Sequence, residues 1–419
     1  METRIKQIGL AALFIALFSG ITNVFAGDGE SYFTISGVVK DKSSKKKLEY
    51  VNISVPGSKI SSITNEDGAF ILKIKDSIQA KEIEFSRIGY FSSRIPVNGQ
   101  NLLDQTFYLA PNEKELKAVV VEGWKNPADL VRTALDRVAI NYSEKPDLLT
   151  GFYRETVQKG KKFINISEAV IDIYKSSYDK DATDDRVQIF KGRSLVTTKV
   201  SDTLAVKLLG GPNLSVYADI VKNPDMLLDK ESLSYFDFKI ENPEFLDNRQ
   251  QYVVSFQPAV ILSYPLFFGT LFIDKETLAF TRAEFYLDMK DRNKATEAIL
   301  RKKPAGLRFN PEEVFFVVSY KQRDGKSYLN YIRNEVKFKC DWKRRLFATN
   351  YTVESEMVVT ESKEGLVSNI PRKESFNRNE SLSDRVMSFY DDNYWGAYNI
   401  IAPTESLESA VNKLKKEHR

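Results

Sequence analysis

The chain has 419 residues, which at roughly 150 per domain allows two or three domains. Its 61 Lys+Arg against 57 Asp+Glu leave a formal charge of +4, too near balance to imply a nucleic-acid partner. One cysteine, Cys340, excludes an intramolecular disulfide and a cysteine zinc site, and the one histidine, His418, excludes Ser-His-Asp, Cys-His and HExxH catalysis, all of which need an imidazole inside the fold.

Arg4 and Lys6 precede an apolar run from Ile8 to Phe18, and Val24-Phe25-Ala26 places small residues before a cut. Residues 1–26 therefore read as a secretory signal, too short in its apolar part to span a bilayer, with the mature chain beginning at Gly27. Residues 27–111 then show short alternating runs: Phe33–Lys40, Tyr50–Val55, Ile60–Ile63, Ala69–Lys75, Glu82–Arg87, Phe91–Val97 and Gln105–Leu109. Turn signals separate them, among them Pro56-Gly57, Asp67-Gly68 and Asn98-Gly99, and Gly68 suits a positive φ. Seven short strands so punctuated predict an antiparallel β-sandwich.

Ile35-Ser36-Gly37-Val38-Val39, Leu48-Glu49-Tyr50-Val51-Asn52-Ile53, Ser62-Ile63-Thr64-Asn65-Glu66-Asp67-Gly68-Ala69-Phe70 and Ser86-Arg87-Ile88-Gly89-Tyr90 resemble the carboxypeptidase regulatory-like domain of transthyretin-like fold. The resemblance implies an accessory module of Gram-negative envelope proteins, without peptidase activity. It implies a location in the periplasm or at the periplasmic face of the outer membrane, and an envelope partner such as a TonB-dependent transporter. Glu115–Gly123 resembles the segment that joins this module to a transporter plug, and in this chain it is expected to be an ordinary strand. Residues 112–150 form a linker strand and helix: Asn126 caps, Pro127 starts, and Leu130, Val131, Ala134, Leu135, Val138 and Ala139 recur on one face.

From 151 to 402 the period returns to two. Strands are expected at 163–174, Val187–Val200, Tyr235–Glu241, Tyr252–Gln257, Phe267–Asp274, Ala279–Met289, Val314–Gln322, Lys326–Cys340 and Leu346–Val359, with turns at Arg323-Asp324-Gly325 and Trp342–Arg345. Short helices are expected at Asp291–Lys302 and Ser381–Phe389. Residues 403–419 form an amphipathic helix with Leu407, Ala410, Val411 and Leu414 as its stripe. The fold class is mainly β, a seven-stranded transthyretin-like sandwich followed by a larger antiparallel meander with a few helices. Gly269–Thr277 with Phe280–Glu284 resembles the strand-turn-strand of lipoprotein-carrier half-barrels, which implies a half-barrel-like curl.

No residue set points to catalysis, a cofactor or a metal. Asp179, Asp181, Asp184 and Asp185 lack the loop glycine and closing Glu of a calcium hand and read as a solvated loop. The chain is expected to be a non-enzymatic envelope protein that binds or scaffolds a protein partner. Two alternatives stay open: a carboxylate-only hydrolase acting on glycans, and a carrier of a lipid or acyl chain. For the carrier, Phe267, Leu271, Ile273, Phe285, Leu287, Phe316 and Val318 alternate onto one face and would line an apolar pocket, because long twisted sheets must curl or be covered.

Overall fold

The structure, a computed structural model, describes residues 31–112 and 124–418 apart from 200–203, 205, 209–210, 225, 228, 343–346, 365–366, 378–379 and 392. The expected leader and the segment Glu115–Gly123 lie outside the described residues.

The first seven strands are β1 (Tyr32–Asp41), β2 (Asn52–Ser54), β3 (Ser61–Ile63), β4 (Ala69–Lys75), β5 (Glu82–Ser86), β6 (Ser93–Pro96) and β7 (Leu102–Leu109). They form two sheets, β4-β1-β7 and β3-β2-β5-β6, closed over Ile35, Val39, Ile53, Phe70, Leu72, Ile83 and Phe85. Strict alternation along β1 puts Phe33, Ile35 and Val39 inward, as period-two patterning requires. Gly68 turns the chain with φ +67°. The expectation of a wholly antiparallel sandwich is corrected at one strand: β7 runs parallel to β1. The chain leaves β6 in the other sheet and crosses over before pairing, and alternation carries no information about strand direction. A bulge accompanies this pairing between Ile35 and Gly37, where a side chain at Gly37 would run into the Gln105 carbonyl.

The helix α1 (Pro127–Asp136) is capped by Asn126, whose side chain accepts from the Ala128 amide at 3.1 Å, and one further turn, α2 (Val138–Asn141), follows. Leu130, Val131, Ala134 and Leu135 are buried in the core of the larger domain. At about 1.5–3 kcal/mol for each fully buried large side chain, this packing rather than helix propensity holds α1.

The larger domain contains β8 (Asp147–Lys159), β9 (Lys162–Lys175), β10 (Arg186–Val196), β11 (Lys207–Leu208), α3 (Leu214–Tyr217), β12 (Phe236–Ile240), β13 (Glu244–Leu246), β14 (Arg249–Pro258), β15 (Phe267–Asp274) and β16 (Phe280–Leu287). It continues with α4 (Arg292–Ile299), β17 (Leu300–Lys302), β18 (Leu307–Arg323), β19 (Lys326–Trp342), β20 (Thr349–Glu364), β21 (Met387–Ser388) and α5 (Glu405–Glu417). One sheet runs β12-β14-β15-β16-β18-β19-β20-β8-β9-β10-β21, with β13 beside β14 and a separate β11-β17 pair. The turn at Asp324-Gly325 has positive φ at both residues and sets the register from Leu307 opposite Trp342 to Arg323 opposite Lys326.

Two expected helices change. Residues 291–302 are helical only to Ile299, and β17 follows. Residues 381–389 hold one tight turn, Leu382–Asp384, and then β21 pairs with β10. Leu382 is fully buried, and the stretch that follows adds an edge strand instead of a second helical turn.

The sheet has two unlike faces. One carries Leu149, Tyr153, Ile171, Leu271, Phe285, Phe316, Ile332 and Phe338 and is covered by α1 and the chain between β10 and β12. The other presents Phe152, Val170, Val317, Tyr331 and Val358 to Tyr50 and Ile63 of the sandwich and to Trp395 and Ile401. Polar contacts fasten that second junction. Ser61 donates to the Val359 carbonyl at 2.7 Å, and Asn65 donates to the Ala402 and Pro403 carbonyls, both at 3.0 Å. Asp67 accepts from the Glu405 amide at 2.9 Å beside the Thr404 cap of α5. That helix buries Leu407, Val411 and Leu414 against Ile166 and Leu195.

Candidate functional site

An apolar cavity of about 350 Å³ lies over one end of the first face. Register builds its floor: Phe267 pairs with Leu287, and Phe285 pairs with Phe316. Phe285 and Phe316 stack with centroids 5.0 Å apart, and Phe267 meets Phe285 edge-on at 5.3 Å. Phe267, Leu287, Val314, Phe316 and Val336 face the cavity from the sheet. Leu208, Tyr217 and Met226 cover it, and Ile299 at the end of α4 with Arg301 closes its side. The polar side chains in the wall are Asn213, Asn334, Tyr217 and Arg301; Asn213 already donates to the Phe376 carbonyl at 3.0 Å.

Of the seven residues expected to share an inner face, three line this cavity: Phe267, Leu287 and Phe316. Phe285 is buried beneath the floor between Phe267 and Phe316, and Leu271, Ile273 and Val318 belong to the same face and core but are fully buried away from the cavity. Toward their end of the sheet the space is filled by α1 and by Tyr142, Tyr178 and Tyr320, whose rings pack against one another at 4.9 and 5.5 Å. Val314, Val336 and Ile299 were not singled out in the sequence, although Val336 alternates with Phe338 on β19. Leu208, Tyr217 and Met226 lie in a stretch with no periodic signal.

The covering chain is pinned by buried charge. Lys175 at the end of β9 lies 2.7 Å from Asp219 and 3.2 Å from Asp185, and Lys222 lies 2.9 Å from Asp185. All four side chains are essentially inaccessible. The Tyr178 and Tyr320 hydroxyls donate to the two oxygens of Asp219 at 2.9 and 2.7 Å. Lys222 also donates to the Ser176 hydroxyl at 2.8 Å and the Ser177 carbonyl at 3.1 Å. Burial opposes the Asp219 charge, yet Lys175 and the hydrogen bonds outweigh it and hold that carboxyl below its ordinary value. Burial and the nearby Lys175 charge lower Lys222. Asp179, Asp181 and Asp184 are exposed, as a solvated loop requires, but Asp185 is not. It is corrected from solvated loop to buried ion partner, because Lys175 and Lys222 reach it only through the fold.

The second face carries charge of another kind. Arg333 is held by Glu354 at 3.0 Å, Glu66 at 2.5 Å and Glu335 at 3.5 Å, and it donates to the Tyr50 hydroxyl. One guanidinium thus serves three carboxylates. Burial first, and then the charge of Glu356, push the Glu354 carboxyl up to about 8 against the pull of Arg333. Nearby, Glu168 bridges Arg154 at 2.9 Å and Arg193 at 2.8 Å. Arg154 donates to the Ile401 carbonyl at 2.7 Å, and Arg193 lies 3.9 Å from the Tyr390 ring and 4.9 Å from that of Trp395. The cleft among Glu66, Arg154, Glu354 and Glu356 holds about 60 Å³, room for a few waters and not for a sugar ring. Paired carboxylates are present there, but no substrate-sized space accompanies them.

The two-sheet sandwich that contributes Tyr50 and Glu66 to this junction coincides with a family match over residues 35–121. It is a CarboxypepD_reg-like domain. Such a domain is an Ig-like, non-catalytic unit. No curated protein matches the chain. Among solved structures, a DUF1329 family protein from Desulfovibrio piger is 13% identical, with 58% of this chain and 95% of that one covered at a TM-score of 0.24. Lipovitellin is 7% identical over 61% of this chain and 29% of its own, at a TM-score of 0.28. A Bacteroides fragilis protein of unknown function, with a suggested membrane association, is 11% identical over 79% and 98%, at a TM-score of 0.16.

Proposed function

We propose that the larger domain binds one apolar or amphiphilic chain in the cavity bounded by Phe267, Leu287, Phe316, Val336 and Met226. We propose further that the CarboxypepD_reg-like domain supports the opposite face of the sheet without touching the ligand. The observation that carries this reading is the cavity itself. Its volume of about 350 Å³ and its mainly apolar wall, with two amides, one tyrosine and Arg301, fit the size and character of small-ligand sites. A protein acting only as a scaffold has no need of it, since close packing would contribute more stability. The basic and apolar N-terminal run of residues 1–26 supports export, and we place the protein in the cell envelope as a non-enzymatic binding protein.

Titration with a fluorescent fatty acid tests this. Affinity should rise about fourfold per added methylene, reflecting roughly 0.8 kcal/mol each, and level off once the cavity is filled. Val336→Phe should lower affinity at least about tenfold while changing stability by no more than about 1–3 kcal/mol, the usual range when a core position is enlarged. A wild-type protein that shows no binding at high micromolar probe, or binding indifferent to chain length and to Val336→Phe, would refute the reading.

A further inference from the structure

The connection between β14 and β15, residues 259–266, reads Ala-Val-Ile-Leu-Ser-Tyr-Pro-Leu and contains no charge. Ile261 is 93% exposed and Tyr264 55%, and Phe268 just beyond is exposed as well. Single exposed apolar residues are ordinary, but a contiguous uncharged tip of this kind is not. The neighbouring stretch 288–308 has seven Lys/Arg against three Asp/Glu. The two are joined: Lys294 donates to the Leu262 carbonyl at 2.6 Å, and the Asp288 amide donates to the Leu266 carbonyl at 2.8 Å. Lys290, Lys302 and Lys303 of this stretch are exposed. The antiparallel order places the β19–β20 connection at the same end of the sheet, where Phe347 is also exposed.

This end of the sheet is also the cavity end. Phe267 follows the apolar tip directly, and Ile299 and Arg301 of the basic stretch form the cavity's side. An apolar tip with a collar of cations is the arrangement that enters the interfacial layer of a bilayer while its charges meet anionic headgroups. We propose that this end of the larger domain docks on an anionic lipid surface. Ile261 and Tyr264 enter the interface, Lys290, Lys302 and Lys303 face the phosphates, and the cavity opens toward the bilayer. The last clause rests on the ligand-binding reading above; the docking itself does not.

The test uses the chain from Gly27 onward, which keeps every described element and removes the apolar leader that would bind lipid by itself. Sedimentation with phosphatidylcholine vesicles containing one quarter phosphatidylglycerol is compared with pure phosphatidylcholine. Binding should be at least about tenfold stronger to the anionic vesicles and should weaken with salt, as headgroup attraction is screened. The double variant Ile261→Asp/Tyr264→Asp should lose that binding with its melting temperature and its fatty-acid affinity unchanged, and Lys302→Glu/Lys303→Glu should weaken it. Val336→Phe should behave in reverse, keeping vesicle binding and losing the fatty acid. Equal binding to both vesicle types, vesicle binding retained by the Ile261/Tyr264 variant, or a tip that instead mediates self-association without vesicle binding would each overturn the proposal. A wild-type protein that binds vesicles but no fatty acid would overturn only the cavity reading.

Discussion

The two faces of the large sheet are covered by different means. On one face the cover is a preformed sandwich with its own core, and the junction is closed by Phe152, Val317, Tyr331 and Val358 together with paired charges. On the other face the cover is assembled from α1, Tyr142, Tyr178 and an irregular chain pinned by Lys175, Asp185, Asp219 and Lys222. An apolar space of about 350 Å³ is left on that side, whereas the sandwich side keeps a cleft of about 260 Å³ whose wall includes Glu84, Arg94, Lys321 and Arg323. A rigid module matches the sheet side chain by side chain around Ile63, Tyr331 and Trp395, and leaves a polar-walled cleft where its β2–β3 connection overhangs the sheet. A short irregular cover can match it only where buried hydrogen bonds and ion pairs hold it down, and between those anchors a cavity persists. The charges differ in the same way: the four beneath the cover balance two against two, whereas the junction crowds three carboxylates onto Arg333.

The largest effect should come from unbalancing the anchored cover. Asp219→Ala leaves Lys175 without its 2.7 Å partner and two buried tyrosine hydroxyls without an acceptor, so a stability loss of about 3–5 kcal/mol is expected in urea unfolding. Because the Asp219 pKa is depressed, its contribution is present above about pH 4 and lost as pH falls through the lower folded-state value. The variant should therefore differ least from wild type in strong acid. A loss under about 1 kcal/mol at neutral pH would show that the cover is held by packing alone.

On the supported face, Trp395→Ala removes a side chain 2% exposed that meets Phe152 edge-on at 5.3 Å. About 3 kcal/mol should be lost, and proteolysis should then cut first between Tyr394 and Thr404. Cleavage in the sandwich first would mean that this segment is not what Trp395 secures.

The smallest effect has an unusual sign. Glu354 has a folded pKa near 8 against an ordinary 4.5, so its protonated form stabilises the fold below about pH 4.5 and that stability declines as pH rises through 8. Glu354→Gln should leave melting unchanged at pH 4 and raise stability by about 1 kcal/mol or more at pH 8.5. If the variant is instead destabilised at pH 8.5, Glu354 is an ionised partner of Arg333, and the crowding of carboxylates is compensated by groups other than its proton.

Much of the fold was legible because β-structure writes itself locally. The seven strands of the sandwich, the Asp67-Gly68 and Asp324-Gly325 turns, the Asn126-Pro127 start of α1 and the Leu407–Leu414 stripe each depend on residues within about a dozen positions of one another. The direction of β7 and the fate of residues 381–389 did not, since both were decided by which edge strand lay open. Of the seven residues placed on one face, all share that face, for period two is a property of the strand. Only Phe267, Leu287 and Phe316 reach the cavity, since what fills the space above a sheet comes from elsewhere in the chain.

By itself the sequence determined the class of the fold, the order of its two parts, most strand positions and the face on which each apolar residue lies. Alternation, turn chemistry and capping act through neighbouring residues and need no knowledge of the rest. Only the tertiary structure decided that Asp185 is a buried ion partner, that Arg333 gathers Glu66 and Glu354 from separate parts, and where the apolar space was left open. Those outcomes join residues 10 to 267 positions apart, and pairing, burial and residual volume at such separations exist only once the chain has closed on itself.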